Sequence, residues 1–398
     1  MRFRRWSPPS SAGADVRFKS RGLALLEDQN ASCFDVLRLT ASTAWPKHGH
    51  RLDDICLAQS KVRSGVIVGQ VAVATLNGLG LRQALGPQDD ACARDIGPLP
   101  GPRGHKNTST LERSRLGHLY HNPEIYNQSL FLHYAELDDP TTLRRMLGKS
   151  SPDELYHLAG QSHVGLSFEI PEATADMTAI GTLRLLEMMR DLPKPPRFYH
   201  ASSSEIFGRP EVSPQDESTP HLPVNPYGVA KSFATHMTRV YRETHGIFAC
   251  NGIAYNHESP RRGENFVTRK ICRAAAAIKA GRKKELLLGD TSAERDWGDA
   301  RDTVRGMWLA LQQDTAGDYI FATGKLHTVQ DIVDLAFATV ELNAVDHIKR
   351  DERFMRPAEP SRLLGNPARA KEQLGWEAKT TFEDLIREMT EAELKAFG

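Results

Sequence analysis

From about residue 104 onward the chain alternates short apolar runs with stretches of helical period. Residues 129–134 (SLFLHY), 154–158 (ELYHL), 197–201 (RFYHA) and 247–254 (IFACNGIA) each read as a short buried strand. Between them lie amphipathic segments. Asp139-Pro140 opens a helix carrying Leu143, Met146 and Leu147, and Thr178 to Arg190 reads as a helix with Ile180, Leu183, Leu186 and Met189 toward the core. Asn225-Pro226 opens a longer helix, with Phe233, Met237 and Val240 as its expected buried stripe. Asn is a good N-cap, and Pro suits the first helical position because no helical N–H is needed there. A helix at 266–280 is stopped by Gly281, and another starts at Thr328, where Thr328 and Asp331 have the spacing of a capping box. Strands alternating with helices predict an α/β fold with a doubly wound parallel sheet. Residues 256–398 are expected to form a smaller C-terminal α/β lobe with strands that can return to the main sheet.

The first hundred residues lack this regularity. Residues 71–77 (VAVATLN) read as a strand, and Gly78, Gly80 and Gly86 follow it. A strand, then glycines, then a helix is the order of a dinucleotide-binding turn. The spacing fits neither common glycine pattern, because Gln83 stands where a middle glycine would let the backbone approach a pyrophosphate. Residues 97–104 (GPLPGPRG) occupy the place of the next strand, and their prolines exclude a central one. The expected division is an atypical, poorly ordered extension at 1–64, a dinucleotide-binding domain at 65–255 (degenerate over 65–103), and the substrate lobe at 256–398.

Composition narrows the function classes. The 398 residues are 40% hydrophobic and 25% charged, with a net charge of +1. This balance gives no general nucleic-acid or membrane surface, and no run of about 18 apolar residues exists. Met1-Arg2-Phe3-Arg4-Arg5-Trp6 is basic but lacks the following apolar core of a secretory signal. Cys33, Cys56, Cys92, Cys250 and Cys272 are scattered and odd in number. They form no metal or disulfide framework, so free thiols in the reducing cytoplasm are expected.

Chemistry gathers around Tyr227 and Lys231. Four residues apart on a helix, they share a face. An ammonium beside a phenol favours the phenolate, which makes a base available near neutral pH. Ser203 and Glu205 sit at the carboxyl end of the preceding strand, where open α/β sheets bind ligands. Serine, tyrosine and lysine can handle the proton of a sugar alcohol while a nicotinamide takes the hydride. A carboxylate beside them can remove a carbon-bound proton, which simple alcohol oxidation does not require.

The stretches HLAGQSHVGLSFEIPE (157–172), HASSSEIFG (200–208), PYGVAK (226–231), NGIAYNHESPRRGENFVTRKI (251–271), ERDWGDARD (294–302) and RPAEPSRLLGNPARAKEQLGW (356–376) closely resemble the GDP-mannose 4,6-dehydratases. These belong to the extended short-chain dehydrogenase/reductase superfamily, with a Rossmann-like fold. The resemblance implies NADP as cofactor, GDP-mannose as substrate, and a homodimer or homotetramer. It assigns Ser203 and Tyr227 to the sugar O4, Lys231 to the cofactor ribose and the tyrosine, and Glu205 to proton transfer at C5 and C6. It places Gly80, Gly86, Lys106, Glu136, Leu137, Leu158, Ala159, Gly160, Gln161, Ser162, His257 and Arg262 at the cofactor. Asn256, Lys270, Arg295, Arg356 and Glu359 are placed at the nucleotide sugar. No metal is implied.

The opening departs from the family pattern. Its Gly-x-x-Gly-Gln-Asp-Gly turn is missing, and Lys106 alone supplies charge where the family carries two arginines for the 2′-phosphate. The resemblance stops near Gly104, as a frame-shifted reading of a family opening would produce. A divergent segment that still accepts cofactor is the other explanation. Two alternative functions stay open: a chain that binds GDP-sugar without turnover, and a GDP-sugar reductase or epimerase.

Overall fold

The computed structural model describes residues 24–26, 64–68, 72–77, 121–123, 126–127, 130–133, 135–351 and 362–397. Its main sheet contains β1 (Ala24–Leu26), β2 (Ser64–Val68), β3 (Ala72–Asn77), β4 (Leu130–His133), β5 (Glu154–His157), β6 (Arg197–Ser203), β7 (Ala249–Ala254) and β8 (Asp318–Phe321). Strands β2, β5, β6, β7 and β8 lie side by side and parallel. The last of them comes from the C-terminal part of the chain, so the sheet is closed by a returning strand.

The strand expected at 71–77 is present as β3, but it runs antiparallel to β2 and β4, and also pairs with β1. Asn77 pairs with Ser64, and Leu76 with Leu130, so β3 ends beside the amino ends of β2 and β4. The chain therefore leaves β3 at the edge opposite Ser203. A phosphate cradle needs its glycines at the carboxyl edge of the parallel strands, and β3 does not end at that edge. The strand that reaches that edge beside β5 is β2. Gly80, Gly86, Gln83 and Lys106 lie outside the described residues, as does almost all of the 1–64 extension.

Helices α1 (Pro140–Ser150), α2 (Gly181–Arg190) and α3 (Pro226–His245) cover one face of the sheet, and α5 (Ala300–Gln312) covers the other. Between these, α4 (Val267–Lys279) belongs to the second lobe. Successive residues of β6 show the two-residue period: Phe198 packs with Leu143, Leu186 and Met189, whereas Tyr199 packs with Met307, Leu311 and Phe321. A separate core joins α4, α6 (Val329–Thr339) and α7 (Phe382–Phe397) around Leu286, Leu288 and Trp297. The caps read from sequence are built. Asp139 accepts from Thr142 N at 3.0 Å, Thr328 and Asp331 form a reciprocal capping box, and Gly281 ends its helix at φ +70°.

Two amphipathic readings need correction. The segment before α2 is a π-helical turn (Asp176–Ile180), which rotates Ile180 out of the core, while Leu186 and Met189 stay fully buried. On α3 the buried face is Tyr227, Ala230, Lys231, Ala234, Thr235, Thr238 and Tyr241, and Phe233 and Val240 are exposed. Small and polar residues face the sheet because α3 packs close to it, leaving a second apolar stripe outside.

The buried carboxylate of Asp318 ties α3 to β7 and β8. It accepts from Arg239, from Arg242 at 2.9 Å and from Asn251 Nδ2 at 2.8 Å. Burial alone would raise its pKa, but Arg242 and Arg239 outweigh burial and hold it below the ordinary value. A depressed folded-state pKa stabilises above the unfolded value and loses that contribution as pH falls through the folded one. Asp318→Ala should therefore cost about 3 kcal/mol at pH 7, because it strands two arginines, and much less in acid. Urea unfolding at the two pH values checks this.

Candidate functional site

Ser203 is the last residue of β6, with an extended backbone, and its Oγ accepts from Glu205 N at 3.3 Å. A single 3₁₀ turn (Ser204–Ile206) then presents Glu205. Its Oε2 accepts from Asn225 Nδ2 at 2.8 Å, while Asn225 Oδ1 accepts from Gly228 N at 2.8 Å as the N-cap of α3. Tyr227 and Lys231 follow on the sheet-facing side of that helix, both buried. Lys231 Nζ lies 5.9 Å from the centroid of the Tyr227 ring and donates to the Ala201 carbonyl of β6 at 2.8 Å. The ammonium is thus fixed to the same strand that ends in Ser203. The structure brings the four residues singled out from sequence to one end of β6.

Gly228 makes this approach possible. A Cβ there would stand 2.5 Å from the Glu205 carbonyl oxygen and 3.2 Å from Pro223 Cβ. Beneath the site, β5 and β6 carry His157 and His200, with ring centroids 5.6 Å apart. Burial, with the Lys231 charge adding to it, lowers His157 to about 3 and holds His200 far below its ordinary value. Both stay neutral at physiological pH and add no positive charge that competes with Lys231.

The strand end expected to face a cofactor is only partly available. Leu158 and Ala159 are core residues. Gly160 takes φ +144° and lies against Thr178, whose Oγ1 would be 3.0 Å from an added Cβ. Gln161 uses its amide within the loop: it accepts from His163 N and donates to the His163 carbonyl and Thr174 Oγ1. Ser162 Oγ is buried without a hydrogen-bond partner among the described residues. Leu137 is buried against Gly181, while Glu136 is exposed.

Across the same edge, His257 Nδ1 lies 2.8 Å from the Tyr255 carbonyl, and burial, then Arg262, bring its pKa down to about 4. A neutral imidazole donating from Nδ1 leaves Nε2 as an acceptor. Arg262 is largely committed inside the protein. Its Nε pairs with Glu258 at 3.2 Å and its guanidinium stacks on Phe266 at 3.5 Å. That contact shapes the rim rather than reaching outward, and Glu258, which sequence reading did not single out, holds it there. Asn256 pairs in register with Trp297 on a short parallel strand pair, which places it near Arg295. Arg295 donates to its neighbour's carbonyl at 2.8 Å, and Lys270 Nζ donates to the Leu287 carbonyl at 2.9 Å. Asp296, between Arg295 and Trp297, accepts from Thr323 N, Thr323 Oγ1 and Gly324 N at 2.6–2.9 Å. Arg356 and Glu359 lie outside the described residues. Among the described residues no group of His, Cys, Asp or Glu is arranged to hold a metal.

A sheet with a parallel core, helices on both faces, and Ser203, Tyr227 and Lys231 gathered at one strand end is the arrangement of the extended short-chain dehydrogenases/reductases. Solved structures agree on the fold. RMD from Pseudomonas aeruginosa complexed with NADPH matches with a TM-score of 0.62 and 26% identity over 66% of this chain and 88% of that one. The dTDP-glucose 4,6-dehydratase of Bacillus anthracis in complex with NAD matches at 0.58 and 21% identity, over 66% and 79%. The profile of the GDP-mannose 4,6 dehydratase family matches residues 103–389, and the chain belongs to that family. GDP-mannose 4,6 dehydratase 1 of Arabidopsis thaliana is 48% identical over 295 residues, 73% of this chain and 81% of the relative. The GDP-mannose 4,6-dehydratase of Yersinia enterocolitica is 44% identical over 319 residues, 73% and 86%.

Proposed function

We propose that the chain converts GDP-α-D-mannose to GDP-4-dehydro-6-deoxy-D-mannose and water, with NADP as a recycled cofactor. The observation that carries this is Glu205 held by Asn225 beside the Tyr227–Lys231 helix. Tyr227 takes the proton of the O4 hydroxyl, which Ser203 orients, and Lys231 holds its charge beside the phenol. NADP, when bound, would supply the hydride acceptor for C4 and the hydride donor for C6. The 4-ketone acidifies the C5 hydrogen; Glu205 removes that proton and gives it to the C6 hydroxyl, which leaves as water, and the proton that Tyr227 took from O4 returns to C5 as C6 receives its hydride. Two groups at the sheet edge suit a dinucleotide: Ser162 offers a buried hydroxyl and His257 offers Nε2, whereas Gly160 makes room for Thr178. Asn256, Lys270, Arg295, Arg356 and Glu359 are assigned to the nucleotide sugar, where guanidinium groups suit a diphosphate.

Incubation with GDP-mannose and NADP, followed by mass spectrometry, should show a nucleotide sugar lighter by one water. A product reduced or epimerised without water loss would move the assignment to a GDP-sugar reductase or epimerase. The antiparallel course of β3 favours a second reading, GDP-sugar binding without turnover. Substrate binding with no NADP affinity at millimolar concentration would establish it.

The chain is further proposed to self-associate through the outer face of α3. Val229 (54% exposed), Phe233 (38%) and Val240 (43%) form a stripe beside an apolar groove lined by Pro171, Ala175, Ile180 and Val224. Their spacing of four and seven residues is that of a helix–helix seam. Val229→Glu with Phe233→Glu should yield a monomer in sedimentation, with the fold retained. No described helix is long and apolar enough to cross a membrane.

A further inference from the structure

Asn225 caps α3, but its geometry does more than a cap requires. Its side chain is buried at 5% exposure and bonded at both ends. Gly228 N–H can only donate, so the atom facing it at 2.8 Å must be Oδ1. Nδ2 therefore faces Glu205 Oε2, also at 2.8 Å, and donates to it. One planar amide thus links the turn that carries Glu205 to the first turn of the helix that carries Tyr227. The reach is short enough because Gly228 lets the helix approach the Glu205 carbonyl. A serine would cap α3 equally well, but it is one atom shorter. An aspartate would cap it and suit the helix N-terminus, but would turn a second acceptor toward a carboxylate.

We propose that Asn225 is a positioning residue for Glu205, fixing its carboxylate relative to Tyr227 for the elimination step. The catalytic half of this inference rests on the dehydratase assignment above. The contact itself does not, so the two can fail separately.

The contact is tested by a double-mutant cycle read as thermal unfolding of the full chain, without substrate or cofactor. Asn225→Asp alone should lower Tm by about 2 °C, from two facing carboxylates. In the Glu205→Gln background most of that loss should disappear, because the glutamine amide can donate to the new carboxylate. Additive Tm shifts would overturn the proposal. The catalytic consequence is tested with Asn225→Ser, which keeps a capping oxygen. Its kcat for water loss should fall about tenfold to a hundredfold, with KM for GDP-mannose within about twofold, because a displaced reacting group costs rate rather than binding. Water loss by Asn225→Ser at the native rate, at unchanged Tm, would also overturn the proposal. If the native chain removes no water from GDP-mannose, the dehydratase assignment fails, while the Tm cycle still decides whether Asn225 holds Glu205.

Discussion

Glu205→Gln should reduce water loss from GDP-mannose by roughly a thousandfold, within the range for removing a general base. The substitution changes charge and little else. Asn225 Nδ2, now 2.8 Å from Oε2, still finds an acceptor in the glutamine amide oxygen. Ser203 Oγ keeps the Glu205 backbone N–H, so the 3₁₀ turn is retained. Substrate affinity and Tm should therefore stay near native while the elimination stops, because an amide cannot take the C5 proton. Steady-state turnover beside GDP-mannose titration separates these outcomes. A large loss of affinity with turnover of bound substrate unchanged would place Glu205 in binding instead.

Gly228→Ala sets two effects of opposite sign against each other. In a helix, alanine is favoured over glycine by about 1 kcal/mol. At this position, however, the added methyl would stand 2.5 Å from a backbone oxygen, and backbone cannot move aside as a side-chain tip can. Overpacking of this kind costs about 1–3 kcal/mol, so the steric effect should win and Tm should fall. Relief requires α3 to shift away from the Glu205 turn, carrying Tyr227 with it. Turnover should fall about a hundredfold, the scale expected for a misplacement near 1 Å. A more stable, fully active variant would mean that α3 does not press on this turn.

Much of this site was legible because its determinants are local. Tyr227 and Lys231 share a helix face by spacing alone, and Asn225-Pro226 announces the helix start. Ser203 and Glu205 end a strand whose apolar run is easy to see. The Asn225–Glu205 bond was not legible, because it spans twenty residues and depends on how closely α3 docks. The outward stripe of α3 was misread for a related reason: two apolar faces on one helix give no local sign of which meets the sheet. Arg262 has the residue type of a phosphate ligand, and only the fold shows it paired with Glu258 and stacked on Phe266. The direction of β3 is likewise a property of the sheet, since an apolar run reads the same in either orientation.

The central claim is an internal redox cycle around an elimination. It is tested most directly with GDP-mannose deuterated at C4, incubated with the full chain and NADP. The account predicts a product that has lost one water and carries the deuterium at C6. Deuterium still at C4 in unchanged GDP-mannose, or lost from C4 with no water removed, would contradict it.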